Sequence, residues 1–82
     1  MSVQSVLREA VVEDPPRVVR IEYEKKSTGE TKTYYIEPYE TRGSQLWGWD
    51  RVDGHIKQFV LGNVIIAELT DEEFSPRFPL LI

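Results

Sequence analysis

Apolar positions follow a helical period at the start of the chain and a period of two afterwards. Across residues 2–13, Val3, Val6, Leu7, Ala10 and Val11 fall on one stripe, with Gln4, Arg8 and Glu9 elsewhere. This predicts a short helix, capped by Ser2 and ended by Pro15 and Pro16. From Arg17 the pattern alternates. Val19, Ile21 and Tyr23 point one way and Arg20, Glu22 and Glu24 the other, as in a half-buried antiparallel strand. Gly29 suits the positive-φ position of a hairpin turn, and a second strand runs from about Thr31 to Glu37, where Pro38 interrupts the ladder.

Residues 39–44 read as a loop pivoting on Gly43, followed by a third strand from Gln45 to about Arg51. Asp53 and Gly54 mark a second hairpin turn. The fourth strand, His55 to Leu61, sets Ile56, Gln58 and Val60 against Lys57, Phe59 and Leu61, so neither face is clean. After Gly62 and Asn63 the fifth strand, Val64 to Leu69, is apolar on both faces until Glu68, the pattern of the most buried strand. Thr70, Asp71, Glu72 and Glu73 fit a capping box and predict a helical turn, kept short by Pro76 and Pro79. Residues 78–82 form an apolar tail that either folds back on the domain or stays exposed for a partner. The expected fold is mainly β: a five-stranded antiparallel half-open barrel with a short N-terminal helix and a C-terminal helical turn. Residues 1–16 make the helix and linker, and residues 17–82 the barrel domain with its tail.

Composition narrows the function. With 82 residues there is room for one small domain. The absence of cysteine excludes disulfides, thiol catalysis and Cys-based zinc sites. No apolar run reaches the roughly 20 residues of a membrane span, and no signal peptide is visible, so a cytoplasmic protein is expected. The net charge of -4 disfavours a broad nucleic-acid surface, but its distribution changes that reading. Residues 1–14 carry -2, residues 68–82 carry -3, and residues 15–67 carry +1. The overall acidity therefore does not exclude an anionic ligand for the middle of the chain.

Catalytic chemistry is sparse. His55 is the sole histidine and follows a turn, Asp50 and Asp53 are explained by turn formation, and no phosphate loop or metal-ligand spacing appears. Neither an enzyme nor a cofactor is expected. The segment Trp47, Gly48, Trp49, Asp50, Arg51, with Lys57 on the next strand, has two readings. The indoles stack on bases or hold an anionic ligand beside cations, or they are core.

The order of residues resembles the WYL domain family. Val19, Arg20, Ile21, Glu22 and Tyr23, then Gly29 and Glu30, then Glu37, Pro38 and Tyr39 are similar to its opening. Leu46, Trp47, Gly48, Trp49 and Asp50, then Ile56 to Leu61 and Val64, are similar to its second half. Thr70, Phe74, Pro76, Arg77 and Phe78 resemble its exit segment. The resemblance implies an Sm-like or SH3-like barrel and a regulatory, ligand-sensing role, with nucleic acid or a nucleotide-like anion as ligand. Such domains sit in bacterial transcription regulators and CRISPR-associated proteins, usually after a helix-turn-helix; this chain reads as a free-standing relative. The namesake Trp and Tyr positions hold Ser44 and Gln45, an arginine position holds Lys57, and another holds Asn63. The expected ligand set is Lys57 and Arg51 for anionic groups, Gln45 for a hydrogen bond, and Trp47 or Trp49 for stacking. The alternative is a small accessory protein that docks on a partner through its apolar tail or an open sheet edge.

Overall fold

A computed structural model describes residues 2–82. The helical stripe forms α1 (Val3–Val12), and Ser2 caps it by accepting the Ser5 N–H at 3.1 Å. Five strands follow: β1 (Arg17–Lys25), β2 (Glu30–Arg42), β3 (Gln45–Asp50), β4 (His55–Val60) and β5 (Val64–Glu73). Gly29, Gly43 and Gly54 take positive φ at the turns after β1, β2 and β3. A 3-10 turn, Leu61–Asn63, joins β4 to β5.

All five strands lie in one antiparallel sheet of order β4-β3-β2-β1-β5. The first four form a meander, and β5 returns to the far side of β1. The sheet curls strongly. Tyr23 of β1 meets Phe59 of β4 edge-on at 5.2 Å between ring centroids, although β2 and β3 lie between them. The curl does not close the sheet, since β4 and β5 remain its two edges. On one face, Val6, Leu7 and Ala10 of α1 pack with Val19, Ile21, Tyr34, Ile36, Leu46, Phe59 and Val64. This is the main core. A smaller cluster of Val18, Tyr39 and Phe74 lies on the opposite face, with Trp49 and Leu80 against it.

Four sequence expectations need correction. The segment from Thr70 to Glu73 is not helical but continues β5. The Thr70 hydroxyl donates to the Val18 carbonyl across the strands at 2.6 Å and accepts the Glu72 N–H at 3.2 Å, without starting a helix. Residues 39–42 are not loop but the end of β2, which passes Pro38 with a register shift that leaves Tyr39 out of the ladder. β5 is not the most buried strand. It is an edge, with Ile65 and Ile66 53% and 40% exposed. Finally, the tail is partly docked rather than wholly buried or free: Ile82 packs on the main core, Leu80 on the smaller cluster, while Phe78 and Leu81 stay largely exposed.

Candidate functional site

Gln45, Trp47, Trp49 and Arg51 alternate along β3 and into its turn, so they share the face opposite the main core. Lys57 does not join them. It stands opposite Gly48 on β4, on the core-facing side, with its ammonium 5.1 Å from the Tyr34 ring centroid. The five residues expected to hold one ligand are thus divided between two faces of the sheet.

Their charges are also already matched. The Lys57 ammonium sits 2.8 Å from Asp50 and 2.6 Å from Asp53, and both contacts push its pKa up. Burial pushes the Asp50 carboxyl up, but Lys57 and the N–H groups of Val52 and Asp53 outweigh it and hold it below its ordinary value. Arg51 donates to Glu37 at 2.9 Å and to Glu72 at 2.8 Å, and Glu37 is the main reason its pKa is raised. Gln45 accepts from the Gln58 amide at 3.0 Å. Trp49 carries the Arg77 guanidinium 4.5 Å above its ring. Trp47 lies opposite Gln58 and remains half-buried.

Glu37 organises this face, and alternation alone did not mark it out. Its side chain is 0% exposed. Tyr39 Oη donates to it at 2.5 Å, Arg51 at 2.9 Å and Arg77 Nε at 3.2 Å. A buried carboxylate is tolerable only when paired and hydrogen-bonded in this way. Burial, with Glu37 nearby, pushes the Tyr39 phenol up to about 12, against an opposing effect of the Arg77 N–H. No local sequence signal marks Glu37, because Arg51 and Arg77 lie 14 and 40 positions away.

The two sheet edges differ. On β4, the Val60 N–H donates to the Tyr23 hydroxyl at 3.0 Å, and the Ile56 carbonyl is met by His55 Nδ1 at 3.0 Å. Its outer edge is covered near both ends. On β5, the Val64 N–H donates to the Leu61 carbonyl of the 3-10 turn, residues 65–69 pair with β1 on one side, and the outer side of residues 65–69 has no backbone partner among the described residues. Beside it lies a shallow open hollow lined by Val6, Glu9, Ala67, Glu68 and Leu69. Val6, Ala67 and Leu69 give it an apolar lining and Glu9 adds a carboxylate, whereas Glu68 alternates to the other face of the sheet, where its carboxylate pairs with Arg20. Among the described residues no group of His, Asp and Glu is arranged to hold a metal ion, and no helix is long and apolar enough to cross a membrane. Comparison with protein-family models, curated proteins and solved structures finds no match.

Proposed function

We propose that this chain is a non-catalytic binding module that takes an extended protein segment as an added strand on β5. The observation that carries this reading is a difference between the edges: on β4 the Tyr23 hydroxyl and the His55 ring meet two outward backbone groups, whereas β5 presents Ile65 and Ile66 and, along residues 65–69, an outer backbone row with no partner among the described residues. An exposed apolar edge of this kind is a template for pairing. In strand addition the main chain supplies affinity and pockets beside the edge choose alternate side chains. The hollow between α1 and β5 is such a pocket. Its apolar lining beside Glu9 favours a long basic side chain whose stem packs while its charge meets the Glu9 carboxylate. The partner segment is therefore extended, with an apolar and basic alternation.

The strand order and the 3-10 turn before β5 support an Sm-like or SH3-like half-open barrel of the WYL type. The anionic-ligand reading has one observation in its favour, the exposed stack of Arg77 on Trp49. It requires cations that are now paired with carboxylates to exchange partners, and Lys57 faces away from the rest. Protein binding at β5 requires no such exchange.

The test is selection from a displayed library of linear peptides on the full-length chain. Selected peptides are expected to alternate apolar and basic residues, and to lose at least about tenfold in affinity for an Ile65→Lys/Ile66→Lys protein, since edge lysines block pairing. Equal affinity for that variant contradicts strand addition. Saturable changes in Trp emission on adding single-stranded DNA, RNA or nucleotides would favour the anionic-ligand reading instead.

A further inference from the structure

Residues 76–79 read Pro-Arg-Phe-Pro, and they lie against the sheet in a way that separates a receiving surface from an occupant. The receiving groups are Glu37, Tyr39 and Trp49. Arg51, which belongs to the sheet side, holds Glu37 Oε2 at 2.9 Å, and Tyr39 Oη holds Oε1 at 2.5 Å, so the buried carboxylate is oriented without help from the tail. The tail then adds a compact set of contacts. Arg77 Nε donates to Glu37 Oε1 at 3.2 Å, and its guanidinium covers the Trp49 ring at 4.5 Å. The Arg77 backbone N–H donates to Tyr39 Oη at 2.9 Å, and the Leu81 N–H to the Tyr39 carbonyl at 2.7 Å. Phe78 stands edge-on to Tyr39 at 5.3 Å and tilted to Trp49 at 6.3 Å.

The occupant itself is mostly exposed. Phe78 is 44% and Leu81 59% accessible. Pro76 and Pro79 fix φ on either side of the Arg-Phe pair, where the backbone bends, and this lowers the entropy lost when the stretch settles on the sheet. A buried acid, an aromatic wall and a Pro-flanked arginine are together the elements of a peptide-recognition site. We propose that the Glu37, Tyr39 and Trp49 cradle is a recognition site for segments of the form Pro-Arg-aromatic-Pro, and that the tail is its resident occupant in cis. Another protein segment of this chemistry, including the tail of a second copy, then competes with residues 76–82 for the cradle. The β5 edge plays no part, so this inference stands or falls independently of strand addition.

The experiment uses the full-length Arg77→Ala/Phe78→Ala protein, whose tail has lost its anchoring side chains. It is titrated with a synthetic peptide of residues 75–82, read by melting temperature and by the Trp49 indole N–H resonance. The peptide should bind saturably, at least about tenfold tighter than to the unaltered chain, and raise the melting temperature by several degrees. Replacing the peptide's arginine by alanine should remove both effects. If the double variant does not fold alone, Arg77→Lys serves in its place, keeping the charge but losing the fork and the stack. A folded variant with no saturable response, or one indifferent to the peptide's arginine, overturns the proposal.

Discussion

Glu37 is fully buried, so its charge is held by Tyr39, Arg51 and Arg77 alone. Its neutral replacement Glu37→Gln keeps the shape but leaves Arg51 and Arg77 without their shared counter-charge. Urea unfolding of that variant should show a loss of about 2–3 kcal/mol, the scale of hydrogen bonds to charged groups. A loss below about 0.5 kcal/mol would mean that the arginines find water equally good. Tyr39 gives a pH signature. Its phenol is pushed up to about 12 in the folded protein, against about 10 when unfolded. Above pH ~10 the unfolded chain loses this proton while the folded chain keeps it. Stability should therefore be full below pH ~10 and fall by roughly 2–3 kcal/mol as pH rises toward 12. In Tyr39→Phe this alkaline decline should shrink. At this scale the sequence was only partly readable. Asp50 was assigned to the turn, and its carboxylate does accept the Val52 and Asp53 N–H groups. Glu37 was hidden because its covering arginine, Arg77, lies 40 positions away.

Periodicity located the elements well where one face is buried and the other wet. α1, β1 and the start of β3 fall where the apolar spacing put them, because the main core lies against one side of each. It failed where local signals competed with pairing. Thr70 to Glu73 carries a helix-capping pattern, yet Arg17 pairs with Glu73 in the ladder and Arg17 lies 3.7 Å from Asp71. Tertiary pairing outweighed the local preference. Pro38 marks a strand end only when the ladder is regular; here the bulge at Tyr39 absorbs it, and the tail bridges to Glu40. Two-sided apolar character in β5 suggests burial, but it belongs to an edge. Gly48 is the element-level constraint on β2 and β3. An added Cβ there would lie 3.0 Å from Ile36 Cδ1 and 3.3 Å from the Glu37 carbonyl. Gly48→Ala should therefore cost about 1–3 kcal/mol by overpacking, measurable as a lower thermal midpoint. An unchanged midpoint would show that Ile36 moves aside freely.

Across the whole molecule, charge is used mainly within the chain. Seven of the ten Lys and Arg residues lie within ion-pair distance of a carboxylate, and these include Arg51, Lys57 and Arg77. The split of charge along the sequence was legible; its pairing was not, because pairing depends on which strands become neighbours. Along the outer side of β5 the backbone of residues 65–69 has no partner among the described residues, and beside it lies a hollow lined by Val6, Glu9, Ala67 and Leu69. Amide hydrogen exchange on the full-length protein tests this most directly, first alone and then with a library-selected peptide. The account predicts fast exchange at outward-facing amides of residues 65–69 in the free protein, a protected Val60 amide, and slowing at β5 when peptide binds. Uniform protection of β5 in the free protein, or peptide-induced slowing confined to β3 and β4, would contradict it.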